Sequence, residues 1–285
     1  MTDGGLVAAR AITYLALLLT AGLPLYLISA GRGIALPQCL RAAEMVLALA
    51  GAAASAWWAL ASVAAMAALP IGGLDIATVN AVLAATPLGM VLAIRLAALA
   101  LVLLVAVMRP RPGLMAIPAA VALATCAWAG HAGATEGALG HLHRLADIIH
   151  LLAAATWLGA LVMLLGCVMG STPPDELGRR LAGFAATGSA VVVLLVATGI
   201  ANTLFIAGWP LPLGSAWTLM LAVKIVLFAG MLGLAALNRW RLTPALADQS
   251  DQARRRLRRS LAIEMALGLG VVAAVGVLGV LDPAA

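Results

Sequence analysis

Apolar residues in this chain neither alternate like a half-buried strand nor recur with the period of a surface helix. They fill long blocks, with the charged residues gathered between them. Eight blocks stand out, at about Leu6 to Ala30, Arg41 to Leu69, Pro87 to Met108, Gly113 to Gly130, His141 to Met169, Leu181 to Ala207, Ala216 to Asn238 and Ser260 to Leu281. Each is near the roughly 20 residues that a helix needs to cross about 30 Å of hydrocarbon. The pattern therefore predicts an all-α, polytopic membrane bundle of eight transmembrane helices. A β-barrel is excluded, because its strands would change character at every second residue. The first block is longer than the apolar core of a signal peptide, about 7 to 15 residues, and is read as a retained helix. Block interiors are rich in Ala, Gly, Leu and Val, which let helices approach closely where lipid supplies no hydrophobic drive between them.

Composition narrows the picture. The 285 residues are 64% hydrophobic and 10% charged, against about 45–50% and about 25% in soluble domains. A water-soluble globular domain is excluded, and no room remains for a soluble catalytic one. One membrane domain over 1–285 is expected, with a four-helix amino-terminal half (1–130) and a four-helix second half (131–285). The excess of 17 Lys+Arg over 11 Asp+Glu sits mostly in short loops, so it reports orientation rather than nucleic-acid binding. Connections one, three, five and seven contain Arg32 and Arg41, Arg109 and Arg111, Arg179 and Arg180, then Arg239, Arg241, Arg254, Arg255, Arg256, Arg258 and Arg259; the other side has only Arg10 and Arg144. Basic loops stay cytoplasmic, which places both termini outside, with all four histidines at or near the outer face. Cys39, Cys126 and Cys167 lie far apart without a C-x-x-C spacing, so neither a disulfide framework nor a zinc knuckle is expected.

The halves carry a weak repeat. Thr86 to Arg95 and Ser215 to Lys224 each place a hydroxyl residue nine positions before a cation inside an apolar block. With four helices per half, the two halves would be parallel repeats about an axis along the membrane normal. Arg95 and Lys224 lie roughly 12–13 Å into their spans at 1.5 Å per residue, where a cation needs a partner or an aqueous cavity. Asp147 is one possible partner, Glu44 and Glu264 enter from the cytoplasmic ends, and outward snorkelling is the alternative.

The most informative stretch begins at Gly130-His131-Ala132-Gly133 and continues from His141 to Gly159. On a helix, His143, Asp147 and His150 fall within about 60° of one another, on a face that continues to Trp157, while His141 points away. A carboxylate between two imidazoles, running from a helix mouth into the apolar zone, is how a small metal site or a proton relay is built. His131, at the end of the fourth block, is placed to close over the same site. The competing reading makes His141 and His143 interfacial and pairs Asp147 with Arg144 in a rim ion pair of little worth.

The combination of Gly130-His131-Ala132, Asp147-x-x-His150-Leu-x-x-Ala-x-x-Trp157-x-Gly159, Lys224 followed by Asn238-Arg239, and Arg259-Ser260 leading into Glu264 resembles the copper-resistance protein D (CopD) family of bacterial inner-membrane proteins. Arg10 to Gly22 and Thr86 to Arg95 are similar to the family's amino-terminal part. A tyrosine-glycine pair common in the family before the seventh-span lysine reads Trp217-Thr218 here. The resemblance implies copper handling in the inner membrane, with movement toward the cytoplasm and a periplasmic copper-binding partner. Imidazole and carboxylate on the outer face suit oxidised copper, whereas thioether and thiolate suit the reduced ion.

The expected metal residues are thus His131, His143, Asp147 and His150, with Arg95, Lys224, Trp157 and Glu264 as cavity or coupling residues. Met90, Cys126, Met163 and Cys167 are candidate soft ligands, although methionine and free cysteine fill gaps in any bundle. Two other functions compete with copper transport. One is a membrane cytochrome, whose haem would need facing axial ligands, here only His131 with His150; the other is a non-transporting scaffold or sensor for a periplasmic copper-binding protein. No phosphate loop or Ser-His-Asp constellation is present, so an enzyme is not expected. Membrane lipids are expected partners of the run from Arg254 to Arg259, by anchoring at the cytoplasmic surface or binding anionic headgroups.

Overall fold

The computed structural model describes residues 4–30, 38–248 and 251–283; Arg32 of the orientation count lies outside them. The described residues form helices α1 (Gly4–Ser29), α2 (Gln38–Ala67), α3 (Ile76–Ala85), α4 (Pro87–Met108), α5 (Pro112–Ala124), α6 (His131–Ala134), α7 (Gly137–Met169), α8 (Pro174–Ala207), α9 (Ala216–Leu237) and α10 (Asp251–Leu278). Seven of them are long and apolar enough to cross a membrane. The fourth block is shorter: α5 continues as a 3-10 turn over Thr125–Trp128, and Pro112–Trp128 falls below the length of the other seven. The helix tightens where Thr125 Oγ1 donates to the Ala122 carbonyl at 2.6 Å.

Other differences have simple causes. Helices α7, α8 and α10 begin before their apolar blocks, since backbone bonding continues into the interface while hydropathy marks only what lies in hydrocarbon. The segment after the second block, expected as a loop, contains α3. Its N-cap Asp75 accepts from the Thr78 amide at 2.7 Å, and hydrogen bonding from Thr78 holds the carboxyl below the ordinary aspartate value. The two hydroxyl residues of the weak repeat, Thr86 and Ser215, are the N-cap positions of α4 and α9.

Helix α1 is the centre of the bundle. It packs against α7, α2, α5 and α10, and Leu17 and Ala21 are fully buried on it. Its crossing with α7 brings backbone against backbone. A methyl built on Gly22 would overlap the Ala155 carbonyl, and one on Gly159 would overlap the Gly22 carbonyl. Both residues were available to a reading of small side chains, but their apposition across two distant blocks was not.

Helix α1 also corrects the orientation count. Arg10 is not a loop residue; it is 8% exposed within α1. Its guanidinium lies over the rings of Tyr14 at 5.6 Å and Trp58 at 5.4 Å. Gly130, at φ 125°, and Gly279 leave the space it occupies.

Replacing Gly159 with Val is expected to destabilise the bundle by about 3 kcal/mol, the upper part of the usual overpacking range, because the crossing backbones cannot yield. Val at Gly166 of the same helix, where a Cβ meets nothing within 4 Å, should leave the melting temperature unchanged. Thermal unfolding of the detergent-purified variants checks both.

Candidate functional site

His143 is 1% exposed. Its ring stacks on Phe205 of α8 with centroids 5.1 Å apart and planes at 24°, and its Nδ1 lies 2.8 Å from Thr135 Oγ1. His150, two turns further along α7, places Nδ1 2.9 Å from Thr198 Oγ1 of α8. Each threonine already gives its hydroxyl proton to a backbone carbonyl, Thr135 to His131 at 3.1 Å and Thr198 to Leu194 at 2.5 Å. A hydroxyl has one proton, so with that proton on the carbonyl the imidazole Nδ1–H donates in each pair. That leaves Nε2 of each ring with its lone pair, the tautomer that outer-sphere partners impose on metal-binding histidines.

Asp147 lies between them on α7 and accepts from Asn202 Nδ2 of α8 at 3.3 Å. The charges of Lys224 and Arg10 act on it, Lys224 foremost. Lys224 also acts on His150, so α9 contributes a cation to the same region. Arg144 does not form the rim ion pair. It donates to the Ala132 and Thr135 carbonyls at 3.4 Å and lies 3.4 Å from Nδ1 of the exposed His141. His131 Nε2 faces the Leu278 carbonyl of α10 at 3.2 Å. Among the described residues, no group of three or more His, Cys, Asp or Glu stands close enough to hold a metal ion.

Arg95 and Lys224 have different surroundings despite their matching positions. Arg95 is 2% exposed; its Nε donates to Thr125 Oγ1 at 2.7 Å and its Nη2 to Cys126 Sγ at 3.7 Å. Its guanidinium also lies 5.0 Å from the Trp58 ring, so one indole serves both Arg10 and Arg95. Lys224 is half-buried. The candidate soft ligands remain scattered: Met90 is exposed on α4, Cys126 is buried against Arg95, and Cys167 accepts from Arg180 Nη1 at 2.8 Å. Met163, one turn before Cys167, is half-buried against the core.

Three parts of the sequence signature do converge. Glu264 of α10, 2% exposed, accepts from Trp157 Nε1 of α7 at 2.9 Å through Oε1 and from Asn238 Nδ2 at 2.9 Å through Oε2. Asn238 opens a π-helical turn, Asn238–Leu242, at the end of α9; such turns occur often at functional positions. One carboxylate thus ties α7, α9 and α10 together.

Thr135, Thr198, Asn202, Phe205 and Trp58 were missed from sequence. A signal existed for two of them, since Thr198 and Asn202 are polar residues four apart within the sixth apolar block and so share a helix face. Thr135 lies outside any block, and nothing periodic marks it.

Truncating Glu264 to Ala leaves two buried N–H donors unpaired, at about 1–3 kcal/mol each. Trp157→Phe removes one donor together with its bond and is expected to cost less. Thermal unfolding of the two variants and of the pair measures the coupling.

Residues 1–142 match the family model described as copper resistance protein D-like, N-terminal domain, and residues 178–278 match copper resistance protein D. Copper resistance protein D of Pseudomonas syringae pv. tomato is 36% identical over 176 residues, which cover 57% of this chain and 56% of that protein. Inner membrane protein YebZ of Escherichia coli (strain K12) is 31% identical over 186 residues, 64% of either chain. The alignments thus span less than two thirds of the length of these relatives. No solved structure gives a significant match. With both family models on one helical bundle, the chain belongs to the copper-resistance protein D family and is a multi-pass protein of the inner membrane.

Proposed function

We propose that this protein is a copper carrier of the inner membrane, which takes copper on its outer face through His143, Asp147 and His150 and passes it toward the cytoplasm. The observation that carries this reading is the pair of threonine-braced imidazoles, His143 on Thr135 and His150 on Thr198. With Nδ1–H on the threonine, Nε2 of each ring is left to ligate, and neutral imidazoles add no charge to the site. The names of the relatives support copper as the cargo. Because His131, His143, Asp147 and His150 are not gathered for ligation among the described residues, copper entry would draw them together, with His131 released from the Leu278 carbonyl.

Lys224 has a physical role in this reading. A buried carboxylate without a cation is costly in lipid, and Lys224 supplies the opposing charge. An arriving cation replaces it, and the flexible stem lets the ammonium withdraw. A periplasmic copper-binding protein is the natural donor, since the first histidines stand at the helix mouth. The protein acts here as a carrier rather than a catalyst.

The reading needs the histidine face outside, and hence eight crossings with both termini outside. Helix α5 with its 3-10 turn would reach about 28 Å at 1.5 and 2.0 Å per residue, close to the thickness of the hydrocarbon core. A carboxy-terminal reporter active only in the periplasm is the expected result. Activity only in the cytoplasm removes the eighth crossing and places the histidines on the wrong face.

Copper binding and cellular copper content, measured at matched expression, test the site. His150→Ala and His143→Ala should each weaken binding at least tenfold, and His141→Ala by less than twofold. Thr198→Val should fall between them, because it frees the ring without removing the ligand. Lys224→Met should impair copper uptake more than Arg256→Gln. Unchanged binding in His150→Ala would refute the assignment.

A further inference from the structure

The basic run at the start of α10 divides into arginines with different surroundings. Arg254 caps α7: its Nε donates to the Val168 carbonyl at 2.9 Å, its Nη1 to Thr172 at 2.8 Å, and its Nη2 to Cys167 at 3.2 Å and to the Gly170 carbonyl. It thereby satisfies carbonyls that a helix end leaves without partners. Arg255, Arg258 and Arg259 are exposed, and no ion pair among the described residues involves them. Asp251, one turn before Arg255, does not neutralise it at ion-pair distance.

These three arginines and Ala262 follow the spacing i, i+3, i+4, i+7, so they share one face of α10. That face forms one wall of an open groove, and Leu165 and Met169 of α7 form the other. The groove is therefore two-sided in chemistry. Its arginines stand where α10 passes from polar to apolar sequence, and Leu165 and Ala262 continue it along the apolar part of the helices. Met169 is 68% exposed at the rim.

We propose that this groove is a binding site for an anionic phospholipid with two phosphates, of the cardiolipin class. Guanidinium forks match phosphate oxygens in pairs, and basic pockets between membrane helices suit such headgroups. Charge selects between lipids: one phosphodiester leaves two of the three arginines uncompensated, whereas two phosphates leave only one. The apolar wall takes an acyl chain, which inorganic phosphate lacks.

The full chain, purified in detergent, is titrated with cardiolipin, phosphatidylglycerol or phosphatidylcholine, and bound lipid is counted by native mass spectrometry. Cardiolipin should bind at least tenfold more tightly than phosphatidylglycerol and resist millimolar inorganic phosphate. The triple variant R255Q/R258Q/R259Q should lose at least tenfold in cardiolipin affinity. Ala262→Trp, which fills the groove and keeps its charge, should lose at least fivefold. R109Q/R111Q, altering exposed arginines on another loop, should stay within twofold. Equal loss in that control overturns the groove in favour of diffuse attraction to basic loops. Tight binding by Ala262→Trp overturns it as well, independently of whether the triple variant folds. Equal affinity for phosphatidylglycerol refutes the two-phosphate occupant, and displacement by inorganic phosphate refutes a lipid.

Discussion

Where α1 crosses α7, Gly22 and Gly159 remove the side chains that would otherwise keep two helices apart, and the carbonyl of one helix rests against the alpha carbon of the other. Lipid tails are as apolar as leucine, so association between membrane helices depends on such close packing and on polar contacts. The crossing makes α1 a central post. Toward its amino-terminal end lies Arg10; on α7, the residues before and after Gly159 lead to His150 in one direction and to Cys167 in the other. A shift at this contact would move the histidine face relative to Thr135, which precedes α7, and to Thr198 on α8, the two partners of its imidazoles.

Around this post three groups of polar side chains find partners in three different ways. Arg10 and Arg95 use the face of one indole, Trp58, with Thr125 and Cys126 completing Arg95. Glu264 uses two neutral N–H donors, on Trp157 and Asn238. Asp147 has one amide donor and the field of Lys224. Only the last arrangement sets a carboxylate in the field of a lysine on another helix. Glu264 is thus fastened from two sides and Asp147 from one.

The surface at the start of α10 completes the division of labour among arginines. Arg254 holds the end of α7, whereas its neighbours Arg255, Arg258 and Arg259 face the groove. Adjacent residues on a helix point about 100° apart, so the helix itself splits a run of like charges between one that holds α7 and others that line the groove.

Much of this was legible in the sequence, and for a local reason. Whether a segment enters lipid depends on its own hydropathy, so the long helices follow the apolar blocks, with α4 matching Pro87 to Met108. The shared face of His143, Asp147 and His150 follows from helical period alone. The tertiary structure decided which faces meet. Trp157 and Glu264 are 107 residues apart, and Glu264 and Asn238 are 26 apart; no periodicity within one helix encodes such a meeting. Arg10 was counted with the loop charges although it lies inside the first block, because only the fold shows Trp58, Gly130 and Gly279 around it. Hydropathy and period act along a single helix, whereas the partner of a buried polar group is set by how several helices pack.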